Sequence, residues 1–81
     1  MNNTVKQYGL ETVLRALLIG KRRVRLDEVV TATDLSVNAL IQPMQRLVTA
    51  GVAAPIPSGW EVNVFNGEPR VYHQEVLRLA N

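Results

Sequence analysis

The side chains in this 81-residue chain that could do chemistry are amides and guanidinium groups rather than nucleophiles or metal ligands. Asn38, Gln42, Gln45, Arg46 and Thr49 fall on one side of a helical wheel. Leu40, Met44, Leu47 and Val48 repeat at i, i+4, i+7 and i+8 on the other. Side-chain amides aligned on a helix can make paired hydrogen bonds to adenine, and arginine can hold phosphate. The alternative is a plain solvated helix face. The catalytic inventory is thin. His73 has no cysteine to join it, and its neighbour Glu75 stands at a spacing common by chance. The other six acids are scattered without a metal-like cluster, and no glycine-rich phosphate loop is present. The expectation is a binding protein with no catalytic residues, no metal and no cofactor, not an enzyme.

Those amides need a helix with defined ends. Ser36 is a good N-cap, because its hydroxyl can accept from the free N–H groups of the next turn. Gly51 falls where a helix favours a left-handed stop. The run from Leu26 to Val52 therefore reads as a short helix, a tight turn at Asp34-Leu35-Ser36, and a longer helix closed by Ala50-Gly51. Asp27 and Glu28 open the short helix at its positive dipole end. Pro43 conflicts with the pattern, since it removes one backbone bond about two turns into the longer helix. Either the helix bends through it, or a separate first piece ends at Gln42. Two helices joined by a short turn, with a polar outward face, are the elements of a helix-turn-helix DNA reader.

Flanking segments complete one domain spanning residues 1–81. A first helix runs from a cap at Asn3 or Thr4 to about Ile19, with an apolar stripe of Val5, Tyr8, Val13, Leu14, Leu17 and Leu18, and Gly20 ends it. Val24-Arg25-Leu26 alternates as a short strand. Val52–Ile56 and Trp60–Phe65 flank Pro57-Ser58-Gly59, a turn signal that predicts a hairpin. Pro55 and Pro57 place its first strand at an edge. Asn66-Gly67-Glu68-Pro69 is a second turn, and Arg70-Val71-Tyr72 adds a third strand. For His73–Ala80 the spacing of Tyr72, Val76 and Leu79 favours a short helix over a strand. Trp60 is either a cap on the core or part of an apolar interface with Ile56, Val62, Phe65 and Tyr72.

Composition narrows the class. Hydrophobic residues make up 47% and charged residues 20%, as in an ordered globular protein. A domain this small buries only roughly 60–65% of its unfolded surface, so a homodimer is expected. There is no cysteine, and the longest apolar run, Ala16-Leu17-Leu18-Ile19, is far short of a membrane span. Glu11 and Arg15 argue against a signal peptide, and the reading is cytoplasmic with no membrane partner. The net charge of +2 hides an asymmetry. Residues 1–25 hold Lys6, Arg15, Lys21, Arg22, Arg23 and Arg25 against Glu11 alone, while Arg46, Arg70 and Arg78 meet six acids in the remainder. A basic segment of this kind suits a polyanion. It also suits the negative end of a helix dipole, or simply solubility.

Leu26, Val29, Leu35-Ser36, Leu40, Met44, Arg46-Leu47 and Ala50-Gly51-Val52 fall without a gap on the pattern of a helix-turn-helix. In this the chain resembles the winged-helix bacterial transcription regulators of the MarR and ArsR type. The motif covers about a third of the chain, and it supports a fold more strongly than a function. The resemblance implies an α+β winged helix-turn-helix: three helices plus a small antiparallel β-hairpin or sheet, with a short C-terminal helix as an option. It implies that the helix after Ser36 reads the major groove of double-stranded DNA. Ser36 would touch a phosphate, Val37, Asn38, Ala39, Ile41 and Gln42 would face base edges, and Gln45 would lie beside them. Arg22, Arg23, Arg25 and Arg46, with Lys21, would hold phosphates. The alternative is a winged-helix module that binds protein, as adaptor or inhibitor, and not DNA. Clustering of Arg22, Arg23, Arg25 and Arg46 on one surface would favour DNA, and scatter would favour protein.

Overall fold

Gly9 fixes where the first helix starts. Its φ of 87° lies outside the helical region, and α1 runs Leu10–Lys21 with Gly9 as the flanking cap residue. The structure, a computed structural model, describes residues 9–66 and 72–80. The helix expected from Asn3 or Thr4 to Ile19 is thus not continuous through Gly9; its proposed caps, with Val5 and Tyr8, lie outside the described residues. Gly20 does not end the helix either. α1 carries on to Lys21, with Leu14 and Leu18 buried. Arg22 then takes the left-handed turn, with φ 67° and its N–H on the Leu18 carbonyl at 2.6 Å.

Strand β1, Arg23–Arg25, buries only Val24. It passes directly into α2, Leu26–Thr33, which buries Leu26, Val29 and Thr33. The Glu28 carboxylate accepts from the Arg25 N–H at 2.9 Å and so caps the α2 N-terminus. Asp34, at φ 57°, closes α2 with its N–H on the Val30 carbonyl at 2.7 Å.

Helix α3, Val37–Thr49, follows after a short turn. Ser36 caps it as expected, accepting from the Ala39 N–H at 3.4 Å. The helix continues through Pro43, whose ring is buried beside Leu40, Met44 and Leu47. No separate piece ends at Gln42. Gly51, at φ 78°, makes the left-handed stop. The Val52 N–H reaches the Leu47 carbonyl at 3.0 Å and the Gly51 N–H reaches Val48 at 3.1 Å, so the last carbonyls are satisfied in a Schellman pattern.

Beyond Gly51 the chain departs from the expected hairpin. β2, Ala53–Pro55, is followed by a short helical turn, α4, Pro57–Gly59, which runs into a π-helical segment, Trp60–Phe65. Pro57 sits at the first helical position, where its missing N–H costs nothing. Trp60, Asn63 and Val64 are buried at helical spacing, so the period is not that of a strand. The final segment is β3, Glu75–Leu79, a strand and not the expected C-terminal helix. Of the third strand expected at 70–72, only Tyr72 is described, and it lies in a turn.

The sheet is antiparallel with order β1-β3-β2. β2 is an edge strand, as Pro55 requires. In the β1–β3 ladder, Val24 faces Leu77 while Arg25 faces Glu75, so Val76 is an extra, bulged residue. Both Val76 and Leu77 are therefore buried in succession. One core joins Leu14 and Leu18 of α1, Leu26 and Val29 of α2, Leu40, Met44 and Leu47 of α3, and the inner side of the sheet. Trp60 is 7% exposed and packs in that core, which leaves Phe65 as the exposed aromatic of its segment. Among the described residues, no helix is long and apolar enough to cross a membrane.

Candidate nucleic-acid interface

The amphipathic register of α3 decides which of its side chains meet a partner. Asn38, Ala39, Gln42, Gln45 and Arg46 are exposed, together with the capping Ser36. Val37 and Ile41 are half-buried and pack against the core. The amides of Asn38, Gln42 and Gln45 have no hydrogen-bond partner among the described residues, so their donors and acceptors are available.

The first turn of α3 also forms one wall of a cleft of about 360 Å³. Ser36, Val37, Asn38 and Ile41 face Val64, Phe65, Asn66 and Tyr72 across it. Phe65 is 58% exposed at the rim and stands edge-on to Trp60, with centroids 5.6 Å apart. The helical spacing that buries Trp60 and Val64 sends Phe65 outward. The hairpin reading named Phe65 and Tyr72 as part of an apolar interface with Trp60, but it placed Val64 and Phe65 in a strand and Asn66 in a turn, and so did not set them against α3.

The cations divide into two groups. Arg23 and Arg25 lie on the outer side of the sheet with Val24 turned inward between them, and Arg22 directly precedes them. Arg46 lies apart on α3, bound through Nε to Glu11 of α1. Arg23 pairs with Glu75 at 3.6 Å, Arg25 with Asp27 at 3.1 Å and Lys21 with Glu28 at 3.1 Å. Exposed pairs of this kind contribute only ~0–1 kcal/mol, so an incoming phosphate can compete for the same guanidinium groups. Arg22 has no acidic partner among the described residues. Arg70 lies outside them. Sequence reasoning passed over Arg78, which stands opposite Arg23 on β3; only the strand assignment of its segment reveals the pairing.

Acidic groups tie the start of α2 to the approach to β3. His73 Nδ1 lies 2.9 Å from Asp27 Oδ2, and the Asp27 N–H donates to the Tyr72 carbonyl at 3.2 Å. Burial pushes the Asp27 carboxyl up, but adjacent Arg25 and the hydrogen bonds from His73 and Arg25 outweigh it, leaving it below its ordinary 3.8. The Arg25 N–H holds the Glu28 carboxyl below 4.5 against the opposing effect of burial, with help from Lys21. Both groups bind protons more weakly folded than unfolded. Their stabilisation is therefore complete above those ordinary values and is lost as pH falls below them through the lower values of the folded state. The thermal midpoint should drop as pH falls below about 5, and an Asp27→Asn/Glu28→Gln variant should show a shallower drop over the same acid range. An unchanged slope in the variant would refute this assignment. Among the described residues, no group of three or more His, Cys, Asp or Glu is placed to hold a metal ion.

Compared with protein-family models, curated proteins and solved structures, the chain matches none of them.

Proposed function

We propose that this chain is a small DNA-binding regulator of winged-helix type that reads the major groove with α3. The observation that carries the reading is the row of exposed, unpartnered amides at Asn38, Gln42 and Gln45 on a helix capped by Ser36. The arrangement around it supports the same reading. α2 and α3 form the helix-turn-helix pair, and the two strands after α3 join a strand that precedes α2. The connection between those two strands is helical at its start instead of a plain hairpin wing, so DNA would meet the Phe65–Tyr72 side of the cleft beside α3. Asn38 and Gln42 would pair with adenine, and Ala39, with the exposed parts of Val37 and Ile41, would pack on thymine methyls. The preferred site is A·T-leaning.

In this reading the protein acts in the cytoplasm as a homodimer, a repressor without enzymatic activity or cofactor. Its two α3 helices would lie about 34 Å apart, one turn of DNA. Replacing Gln42 with Ala should cost roughly 1–3 kcal/mol on the preferred duplex and little on random duplex. Titration of both duplexes at several salt concentrations checks this. Absence of any salt-dependent duplex binding by the wild-type protein would remove the proposal.

Two observations favour a second reading, a protein-binding module, the first being that Arg46, held on Glu11 of α1, stands apart from Arg22, Arg23 and Arg25. The second is the cleft between α3 and the π-helical segment, which is walled by Val37, Ile41, Val64, Phe65 and Tyr72 and could take an apolar side chain of a partner. The ion pairing of Arg23, Arg25 and Arg46 fits this reading too, with the amides then a solvated face. The same titration separates the two.

A further inference from the structure

The outer face of the sheet gathers charge that lies far apart in sequence. Arg23 and Arg78 are directly opposed in the β1–β3 ladder, and Ala54 opposes Arg78 from β2. Opposed residues of antiparallel strands share a face, so Arg23, Arg78 and Ala54 form a row across all three strands. Arg22 adjoins the row, its carbonyl accepting from the Leu79 N–H at 2.7 Å. Two features of this patch are unfavourable for folding. Like charges directly opposed in a sheet repel, and Arg22 holds φ 67°, which residues with side chains rarely adopt. Compensation is slight. Glu75 lies 3.6 Å from Arg23, Arg78 Nη1 donates to the Leu79 carbonyl at 3.3 Å, and neither Arg22 nor Arg78 has an acidic partner among the described residues.

We infer that Arg22, Arg23 and Arg78 form a sequence-independent surface for the phosphate backbone of a nucleic-acid duplex, distinct from the amide face of α3. The choice of a duplex rests on the DNA-binding reading above. The chemistry of the patch agrees with it. Guanidinium forks match phosphate oxygens in pairs. The row offers no aromatic or long aliphatic side chain to anchor a protein or enter a lipid layer, and the small Ala54 lets a phosphate chain approach the strands closely. Phosphate contacts position a protein without reading sequence, and α3 contributes one cation to that task, already held by Glu11.

The test is anisotropy titration of a random-sequence duplex across a salt series. Arg23→Ala/Arg78→Ala should weaken binding about tenfold or more and lower the salt slope by about two units. Arg22→Gly should lower the slope by about one unit while raising the thermal midpoint, since glycine relieves the backbone, so the loss cannot be ascribed to unfolding. Thr12→Ala, at an exposed position of α1, should leave random-duplex binding unchanged. If the folded arginine variants keep the wild-type slope while Gln42→Ala loses the preferred site, this inference falls and the DNA-binding reading stands. If the wild type binds no duplex, both fall, and binding of phosphatidylserine vesicles that requires Arg23 and Arg78 would reassign the surface to membranes.

Discussion

Gly59→Ala is expected to cost about 3 kcal/mol or more, roughly a quarter or more of the stability a domain of this size holds. Gly59 has ordinary helical dihedrals, φ −68° and ψ −40°, so backbone freedom is not why glycine is required. The reason is space. A Cβ at this position would lie 1.9 Å from the Glu75 carbonyl oxygen and 2.8 Å from its carbon. Both atoms belong to the backbone of β3 and cannot swing aside as a flexible side chain would. Relief would require α4 to lift away from the sheet, with loss of the Ile56 N–H bond to the Val76 carbonyl. Overpacking typically costs 1–3 kcal/mol and more where backbone must move, while a domain of this size has only about 4–12 kcal/mol in total. Urea denaturation followed by circular dichroism measures the change. A midpoint within error of wild type would show that α4 does not approach β3 so closely.

Leu40→Ala is expected to cost about 2–5 kcal/mol. Leu40 is 0% exposed on the inner face of α3, and its truncation leaves a cavity in the core that α3 shares with the other elements. At roughly 4–8 °C per kcal/mol for a small domain, the thermal midpoint should fall by about 10 °C or more. Gln42, two residues further on the same helix, is exposed, and its replacement by Ala should change stability by no more than about 0.5 kcal/mol. Thermal melts of the two variants side by side test the orientation of α3. Equal losses, or a larger loss at Gln42, would mean that the helix presents the opposite face.

The pair of helices α2 and α3 was legible because its signals are local. Ser36 and Gly51 mark the ends of α3 through bonds that span only a few residues, and the i, i+4, i+7 spacing of Leu40, Met44 and Leu47 fixes its inner face. The segment after Gly51 was not legible for equally physical reasons. Pro57-Ser58-Gly59 suits a hairpin turn, yet proline also suits the first position of a helix, and the choice is settled by how Gly59 fits against β3. In β3 the bulge at Val76 places two inward residues in succession, which erases the alternation that identifies a strand. The candidate interface was legible at Asn38, Gln42 and Gln45, whose exposure follows from helix phase. The ion pairs were not. Glu11 meets Arg46, and Asp27 meets His73, across separations of 35 and 46 residues, and no local spacing encodes them.

The sheet has two short outer strands, and each is unsuited to adding another. β1 is three residues long and carries an arginine on either side of Val24, while β2 is three residues long and ends in Pro55. Charge and proline on brief edges discourage strand-by-strand recruitment of further chains. The domain is thereby guarded against amyloid-like growth through its sheet. The helical surface, by contrast, carries an exposed apolar side chain, Ile19, 64% exposed near the end of α1.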